Sequence, residues 1–332
     1  MFESDSGGRY QRQDAAFRDR VRDAPDARFP AEPDRYHLYI SRACPWAHGA
    51  VLVRALLGLE DTLSMDVLDP YREEAGWQFT PEKPGCTPDT VNGTDYLAEV
   101  YELADPDYAK RPTVPVLWDR ERATIVNNES IEIMGMLADA FEARREGAID
   151  LYPADRRDEI DRVVQELYEP VNNGVYRAGF ADSQQAYDEA VADLFAALDH
   201  WEGVLTDQRY LLGGQLTLAD LRLFATLVRF DSVYHTHFKC NVGRIVDYPA
   251  LWGHTREIYQ LPGVAETVNL DHIKEHYYRT HPQLHPRRPV APRPTISSKW
   301  LVPVFVARGP DLDFDATHDR DRLPGGPPEA LR

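Results

Sequence analysis

The chain has 332 residues and a formal net charge of −18 at pH 7, with 55 acidic residues against 37 basic ones. This length is sufficient for two domains with a sizeable core. An acidic chain repels nucleic acid and anionic membranes, so we expect neither as a partner. No apolar run has the length of a membrane-spanning helix, and the charged N-terminus does not resemble a signal peptide.

Three cysteines, Cys44, Cys86 and Cys240, show no paired spacing. So few cysteines fit a reducing compartment better than a disulfide scaffold, and we expect the protein in the cytoplasm. Lysine occurs only at positions 83, 110, 239, 274 and 299, so most basic residues are arginine. High acidity with scarce lysine favours a halophilic source, whose salt screens self-repulsion. An acidic protein from a GC-rich mesophile is the alternative.

Cys44 lies where a predicted strand turns into a predicted helix. The strand is the apolar run at residues 36–40, and Pro45 suits the first position of the helix. The free N–H groups and the positive dipole end of that helix favour the Cys44 thiolate, whereas a small buried core cysteine is the alternative. Dithiol oxidoreductases carry a second cysteine where this chain has Ala47. The pattern therefore predicts a one-cysteine site, in which an external thiol must open any disulfide.

Strand and helix patterns alternate in the first half of the chain. They predict a charged arm outside the core (1–30), a strand and a helix (35–57), a strand (62–67), a long connection (69–95), a short helix (96–103), a hairpin (111–128) and a helix (129–144). A connection as long as 69–95 is usually functional or disordered. This order of elements predicts an α/β thioredoxin-like domain, in which helices cover a small mixed sheet.

From about residue 155 the pattern becomes helical, over 155–172, 184–206, 217–234 and 247–260. Thr217 and Asp220 have the spacing of a capping box, flanked by leucines at positions 216 and 221 that suit a hydrophobic staple. We expect this capped helix in the core of an all-α second domain.

After about residue 285 the chain is rich in proline and arginine and contains an apolar patch at residues 300–306. We expect an extended tail over the body of the protein, and the patch suits self-association.

An α/β half with an N-terminal cysteine, followed by a helical half, resembles the glutathione transferase superfamily. Six motifs in order are similar to its Xi class, the glutathionyl-hydroquinone reductases. They are CPWA at 44–47, VPVLWD at 114–119, NNES at 127–130, NNGVY at 172–176, HFKCN at 237–241 and HIKEHYY at 272–278. The resemblance covers about residues 30–285. It implies an arm (1–30), a thioredoxin-like thiol-binding domain (31–150), an all-helical glutathione-transferase substrate domain (151–285) and a tail (286–332).

The resemblance implies that Cys44 attacks the thioether sulfur of a glutathionyl-hydroquinone and that a second thiol then clears the mixed disulfide. It also implies that Tyr176, Tyr234 and Tyr277 are active-site tyrosines in the helical domain that covers the cysteine. We expect Tyr176 to donate a proton to the leaving carbon and the other two to tune or orient it, because phenols are suitable weak acids. Tyrosines packed in a helical core with satisfied hydroxyls are the alternative.

The resemblance also implies six thiol-binding residues: Trp77, Arg111, Thr113, Val114, Glu129 and Ser130. Glu129 and Ser130 lie at a predicted helix N-terminus, where N–H groups and a hydroxyl can bind a carboxylate. The Glu129 carboxylate can accept a hydrogen bond from an ammonium group, and a γ-glutamyl group carries both charges. An ordinary N-cap is the alternative. The family usually has a second small polar residue where Ile131 stands in this chain.

Pro115 matches the superfamily's cis-proline, which exposes the Val114 backbone to the cysteinyl part of the ligand. Trp77 matches the residue that packs over glutathione, and Arg111 and Thr113 border the same pocket. In a halophilic archaeon the thiol can lack its glycine, in which case Arg111 loses a partner. We therefore expect glutathione or γ-glutamylcysteine as co-substrate, a hydroquinone thioether as the second substrate, no metal, and a homodimer.

Two other functions remain open from the sequence. One is a one-cysteine deglutathionylase of the glutaredoxin type, which would not need three tyrosines. The other is a thiol-binding module without catalysis. The cysteine at a helix start argues against this second function. A conjugating transferase fits less well, because Cys44 occupies the position of its activating Tyr or Ser.

The net charge generates a prediction about salt. Below about 0.1 M salt the screening distance is 10 Å or more, so self-repulsion of the −18 chain should lower the melting temperature. The melting temperature, measured at KCl concentrations from low to molar, should rise with salt. A melting temperature that does not respond to KCl would exclude the halophile interpretation.

Overall fold

The computed structural model describes residues 3–141, 149–284, 312–327 and 331. Within these residues the chain forms two compact units. The sheet unit comprises the described residues of Asp14–Tyr152 and Pro262–His276, and the helical unit comprises those of Met1–Gln13, Pro153–Leu261 and Tyr277–Arg332.

The described residues form six strands and ten α-helices. The strands are β1 (Glu3–Ser4), β2 (Tyr10–Gln11), β3 (Tyr36–Ile40), β4 (Ser64–Val67), β5 (Val116–Asp119) and β6 (Thr124–Asn127). The helices are α1 (Pro45–Leu56), α2 (Leu97–Ala104), α3 (Ser130–Asp139), α4 (Arg157–Leu167), α5 (Gly174–Gly179), α6 (Gln184–Asp207), α7 (Leu218–Arg229), α8 (His235–His237), α9 (Pro249–Tyr259) and α10 (Leu270–Thr280). π-Helical turns occur at Tyr168–Asn172 and Phe230–Tyr234, and short 3₁₀ turns at Ile245–Asp247, Ala265–Thr267 and Arg320–Arg322.

The sheet unit is built on a four-stranded mixed sheet of order β4-β3-β5-β6. Strand β3 pairs parallel with β4 and antiparallel with β5, and β5 and β6 form the predicted hairpin. All five residues of β3 are buried, as expected for a central strand that is covered on both faces. Helices α1 and α3 pack so closely that a Cβ atom at Gly49 of α1 would overlap the sulfur of Met134 of α3. The predicted α/β thioredoxin-like architecture is confirmed.

The predicted long connection is ordered by buried carboxylates. Asp89 accepts hydrogen bonds from the backbone N–H groups of Asn92 (3.0 Å) and Thr94 (3.1 Å) and from the Tyr39 hydroxyl (2.8 Å). Asp66 accepts from both the N–H (2.7 Å) and the hydroxyl (2.8 Å) of Thr90. Burial alone would raise the pKa of both carboxyls. For Asp66 the His37 ring, 3.1 Å away, and then the Thr90 donors hold the pKa below its ordinary value, and for Asp89 the donors named above do so. The connection therefore has a fixed shape despite its length.

In the helical unit, helix α6 packs against α5 and α9. Ser183 directly precedes α6 and is its N-cap residue. The Ser183 hydroxyl accepts a hydrogen bond from the Ala186 N–H at 3.1 Å. The predicted helices 155–172 and 217–234 are each observed as an α-helix followed by a π-helical turn. π-Helical turns of this kind are frequent at functional sites. Tyr234 is the last residue of the second one.

The predicted capping box is present at the start of α7. The fully buried Asp220 accepts hydrogen bonds through Oδ2 from the N–H (2.9 Å) and the hydroxyl (3.0 Å) of Thr217. Its Oδ1 accepts from the Leu211 N–H at 2.8 Å and lies 3.0 Å from His254 Nε2. Asp220 therefore joins the start of α7 to a preceding loop and to α9.

The N-terminal residues differ from the predicted arm, because they contribute to both cores. Val21 and Phe29 are buried in the sheet unit, and Tyr10 is buried in the helical unit. These apolar residues are separated by polar ones without a helical or strand period, so the sequence pattern did not reveal them. Pro262–His276, which the sequence placed in the helical domain, belongs to the sheet unit. There the Thr267 hydroxyl bonds His48 Nε2 at 2.8 Å.

Part of the predicted tail, residues 312–327, packs on the helical unit. The buried Arg320 guanidinium donates to the carbonyls of Leu205 (2.7 Å), Gln208 (2.6 Å) and Arg209 (2.6 Å) at the end of α6. A cation is favourable at a helix C-terminus, where carbonyls lack intrahelical partners. The apolar patch at 300–306 lies outside the described residues, so its role in self-association stays a prediction.

Within the described part of the chain, no helix combines the length and the apolar character needed to cross a membrane.

Replacing Asp220 should destabilise the protein without changing the chemistry of the folded form. Asp220→Ala leaves the buried N–H groups of Thr217 and Leu211 without their acceptor, which should cost about 3 kcal/mol. Urea unfolding should show this loss, while Asp207→Ala, an exposed change at the end of α6, should stay within about 0.5 kcal/mol of wild type. An unchanged midpoint together with lost activity would contradict the structural role of Asp220.

Candidate functional site

Cys44 is the N-cap residue of α1, between the end of β3 and Pro45. Its side chain is largely buried, and its thiol donates to the Val114 carbonyl oxygen at 3.7 Å. The Val114–Pro115 peptide bond is cis, so the predicted cis-proline is confirmed. The Cys44 sulfur therefore lies beside the Val114 backbone, in the segment just before β5.

The first turn of α1 supports a thiolate at Cys44. Helix α1 has no acidic residue in its first turn, so no side chain there neutralises the positive end of its dipole. The Cys44 N–H donates to the Ser41 carbonyl at 3.0 Å, and the Cys44 carbonyl accepts from the His48 N–H at 3.1 Å. The turn fixes the cysteine at the helix start, where a thiolate is favoured.

The other two cysteines have different surroundings. Burial, with the nearby Asp69 carboxylate, raises the pKa of the half-buried Cys86 thiol to about 11. Complete burial also raises the pKa of the Cys240 thiol. Neither residue lies at the start of a helix. Both thiols are therefore protonated at neutral pH and are poor nucleophiles.

The predicted helix N-terminus at Glu129 and Ser130 is present in the sheet unit. Glu129 is the N-cap residue of α3, and its N–H donates to Asn127 Oδ1 at 2.6 Å. Ser130 is the first residue of α3, and its buried hydroxyl lies 3.5 Å from Glu129 Oε1. The half-buried Glu129 thus places a carboxylate beside a hydroxyl and the N–H groups of a helix start.

Thr113 and Val114 are held in place by a tyrosine that the sequence did not indicate. The Tyr101 hydroxyl donates to the Thr113 carbonyl at 2.8 Å and accepts from the Thr113 N–H at 3.3 Å. The Asn128 amide donates to the Tyr101 hydroxyl at 3.1 Å and to the Thr113 hydroxyl at 3.3 Å. Tyr101 therefore links α2 to the segment beside Cys44. Its position in a short amphipathic helix indicates only a core residue.

Trp77 lies on the long connection and is 5% exposed. Its indole stacks on the His276 ring, with centroids 5.1 Å apart and an angle of 11° between the planes, and the Arg72 guanidinium lies 5.7 Å from its ring centroid. Arg111 is half-buried, and its carbonyl accepts from the Tyr108 hydroxyl at 3.3 Å. The expected contacts of Trp77 and Arg111 with a bound thiol stay predictions.

Residues from Pro262–His276 support the loop that carries Trp77. Lys83 Nζ lies 2.6 Å from Asp69 Oδ1 and 2.7 Å from Glu275 Oε1. His276 Nδ1 lies 2.7 Å from the Pro70 carbonyl, so the ring that stacks on Trp77 also holds the start of the loop. The sequence motif at 272–278 contained Glu275 and His276, but their partners, about 200 residues earlier in the chain, were not apparent.

The three predicted tyrosines form one cluster within the helical unit. The Tyr277 hydroxyl lies 2.6 Å from the Tyr176 hydroxyl and 3.0 Å from the Tyr234 hydroxyl. All three are buried, with Tyr176 the most exposed at 9%. Burial first, and then the two neighbouring phenols, raises the pKa of Tyr277 well above its ordinary value. The cluster is a connected set of weak acids, while the individual roles of its members stay predictions.

Aromatic rings and a guanidinium surround this cluster. The Phe238 ring stacks on Tyr234 with centroids 5.5 Å apart and contacts Tyr176 edge-on at 5.3 Å. The Arg12 guanidinium lies 4.9 Å from the centroid of the Tyr176 ring, and its Nε donates to Asn173 Oδ1 at 2.9 Å. The sequence assigned Arg12 to an arm, and no local pattern connects it to a tyrosine 164 positions later.

The chemistry available from the described side chains is acid, base and nucleophile chemistry. The sheet unit supplies a thiol at a helix start and a helix N-terminus with a carboxylate and a hydroxyl. The helical unit supplies phenols that can donate protons. Among the described residues, no group of three or more His, Cys, Asp or Glu side chains is placed to hold a metal ion.

Two family models match the chain. The model described as "Glutathione S-transferase, N-terminal domain" matches residues 43–140, and that described as "Glutathione S-transferase, C-terminal domain" matches residues 184–257. These matches include Cys44, Trp77 and Glu129 in the first region and Tyr234 in the second.

Two curated relatives are similar over most of the chain. The glutathionyl-hydroquinone reductase YqjG of Escherichia coli (strain K12) is 48% identical over 322 residues, which cover 95% of this chain and 93% of the relative. The glutathionyl-hydroquinone reductase PcpF of Sphingobium chlorophenolicum is 49% identical over 281 residues, which cover 85% and 88%.

Solved structures agree with these relatives. A Xi class glutathione transferase from Natrialba magadii matches with a TM-score of 0.86 at 56% identity, covering 92% of this chain and 89% of that one. The glutathione-bound structure of YqjG matches with a TM-score of 0.84 at 48% identity, covering 92% and 96%. The chain therefore belongs to the glutathione transferase family, within its Xi class.

Proposed function

We propose that the protein is a glutathionyl-hydroquinone reductase, which removes the thiol from glutathionyl-hydroquinones through a mixed disulfide on Cys44. The observation that carries this proposal is the set of three tyrosine hydroxyls, joined by contacts of 2.6 and 3.0 Å. Thiol–disulfide exchange needs no proton donor to carbon, whereas cleavage of an aromatic thioether does. The names of two relatives at 48% and 49% identity support the same activity.

In the first step the Cys44 thiolate attacks the thioether sulfur, and a sulfur–sulfur bond forms as the sulfur–carbon bond breaks. The electron pair of the broken bond goes to the aromatic carbon, which takes a proton from Tyr176. Free hydroquinone leaves, while Cys44 holds the thiol as a mixed disulfide and Tyr176 is left as a phenolate. The aromatic carbon is reduced and the two sulfurs are oxidised, so the electrons balance.

In the second step Cys44 is released by a second thiol molecule. This thiol gives its proton back to the Tyr176 phenolate and attacks the mixed disulfide, so that a disulfide of the two small thiols leaves. Cys44 returns as a thiolate. Ala47 provides no second cysteine that could resolve the mixed disulfide locally, so the external thiol is part of the cycle.

Glutathione is the thiol that best fits the residues of the sheet unit. Glu129 and Ser130 would bind the ammonium and carboxylate of its γ-glutamyl group, and the Val114 backbone would pair with its cysteinyl part. Thr113 lies next to that backbone, and Trp77 would pack over the ligand. The glutathione-bound structure of YqjG, at 48% identity, supports this assignment.

γ-Glutamylcysteine is the second candidate thiol, because it keeps the γ-glutamyl and cysteinyl groups. It lacks only the glycyl carboxylate of glutathione, the group that we propose Arg111 binds. A comparison of kcat/KM with the two thiols, in wild type and in Arg111→Gln, decides between them. If wild type prefers glutathione and Arg111→Gln does not, glutathione is the natural co-substrate.

We also keep the expectations of a homodimer, a cytoplasmic location and a halophilic source as proposals. Three cysteines without paired spacing support the cytoplasmic location, and the acidic composition supports the halophilic source. Light scattering of the purified protein measures whether it is a homodimer.

Replacing Cys44 should abolish the release of free hydroquinone. In Cys44→Ser the hydroxyl stays protonated and forms no mixed disulfide, so the rate should fall by about a thousandfold or more. The test is an assay with glutathionyl-hydroquinone and glutathione that follows the free quinol. Cys86→Ser and Cys240→Ser are the controls and should stay within a few-fold of wild type. If Cys44→Ser keeps full activity, the mechanism and the assigned function are both wrong.

The pH dependence of alkylation should distinguish the cysteines. Because the pKa of Cys86 is raised to about 11, its thiolate fraction and its labelling rate are low at pH 7 and rise only in strong alkali. Cys44, at a helix start, should be labelled first at pH 7 and with a midpoint below the free value of about 8.5. Peptide mass spectrometry would show this order, and first labelling of Cys86 would contradict it.

Tyr176→Phe should separate the two reactions of the cycle. Loss of the proton donor should lower turnover on the quinol thioether by about a hundredfold, while exchange with a small glutathione mixed disulfide should remain near wild type. Tyr278→Phe removes a buried hydroxyl next to the cluster and should affect neither reaction strongly. Equal losses on both substrates in Tyr176→Phe would favour a packing role.

A further inference from the structure

Arg12 occupies a fixed place over one face of Tyr176. Its guanidinium carbon is 4.9 Å from the centroid of the Tyr176 ring, within the range of a cation–π interaction. Its Nε donates to Asn173 Oδ1 at 2.9 Å, and Asn173 directly precedes α5, the helix that carries Tyr176. The guanidinium is therefore anchored to the same backbone segment as the ring it covers.

A cation over a phenol ring favours the ionised form of that ring. When a phenol loses its proton, part of the negative charge spreads into the ring, so the attraction to a cation over its face increases. Such an interaction stabilises the state after proton transfer more than the state before it, and this difference is what lowers a barrier. A guanidinium is suited to this position because it stays charged and stacks on aromatic faces.

We propose that Arg12 is a positioning residue that stabilises the phenolate formed when Tyr176 donates its proton. The inference rests on the proposed function, in which Tyr176 is the acid. Arg12 acts on the ring face, and the Tyr277 hydroxyl, 2.6 Å away, donates to the phenolate oxygen. The N-terminal segment then contributes directly to the electrostatics of the reaction.

The other groups around Tyr176 are consistent with this role. Tyr277 has a pKa raised well above its ordinary value, chiefly by burial, so it keeps its proton and can donate it as a hydrogen bond. Other titratable or charged groups lie near Tyr176 or its immediate contacts in the described part of the chain. They include Tyr234 on the π-helical turn after α7, Tyr10 beneath Arg12, Arg177 on α5, Arg229 acting on Tyr277, Glu169 beside Asn173, and His237 and His281 against Phe238. The uncharged rings of Phe180 and Phe238 also contact the Tyr176 ring, with centroids 6.2 and 5.3 Å away.

The test compares Arg12→Gln, Arg12→Lys and the control Arg9→Gln. Arg9 lies on the same segment in an exposed ion pair with Glu189, so its replacement reports any general effect on that segment. In Arg12→Gln, kcat on the quinol thioether should fall about tenfold, and the alkaline limb of the kcat–pH profile should move to higher pH. Arg12→Lys should recover most of the rate and keep the limb near its wild-type position. Exchange with a small glutathione mixed disulfide should be unchanged in all three variants.

A merely structural role for Arg12 would give a different result. It would lower the rates of both reactions together and leave the alkaline limb of the kcat–pH profile in place. Either outcome overturns the proposal. Arg9→Gln that matches Arg12→Gln in every measurement would overturn it as well.

A second readout does not depend on turnover. Ultraviolet titration of tyrosinate, taken as the difference between each protein and its Tyr176→Phe partner, should show Tyr176 ionising at higher pH in Arg12→Gln than in wild type. An unchanged titration overturns the role of Arg12. If wild type releases no hydroquinone, the proposed function fails, and this titration still decides whether Arg12 stabilises the Tyr176 phenolate.

Discussion

Buried carboxylates that accept hydrogen bonds from backbone N–H groups hold the irregular parts of this protein. Asp66 and Asp89 do so for the long connection that carries Trp77, and Asp220 does so at the start of α7. Asp231 accepts from the N–H groups of Ile245 and Val246 at 2.6 and 3.1 Å. A loop cannot pair its own donors as a helix or strand does, and a buried unpaired N–H is costly. Part of the acidic composition is therefore internal structure and not surface charge.

Two candidate reactive groups stand at the ends of regular elements. Cys44 lies between β3 and α1, where the helix dipole favours its thiolate, and Glu129 lies at the start of α3. The tyrosine cluster depends on a different constraint, since three buried phenols can satisfy their hydroxyls only with one another or with nearby polar groups. The hydroxyl of the central Tyr277 lies within hydrogen-bond distance of both neighbouring hydroxyls, so the three phenols are connected while they stay packed.

Local signals in the sequence predicted the fold well. The strand at Tyr36–Ile40 is as predicted, and the hairpin and the capping box at Thr217 are present. Each of these features depends on residues close together in the chain. The burial of the N-terminal residues and the support from Pro262–His276 were missed, because they depend on partners far away in sequence.

The sequence alone determined the type of each domain, the cysteine at a helix start and the identity of the three tyrosines, the last through family resemblance. Only the tertiary structure decided which side chains meet. Tyr176 and Tyr277 are 101 positions apart, and Arg12 and Asn173 are 161 apart, yet both pairs are in hydrogen-bond contact. Hydrophobic period, caps and turn residues act over a few neighbouring positions, so they specify elements. Contacts between elements depend on how the core packs, and no short stretch of sequence contains that information.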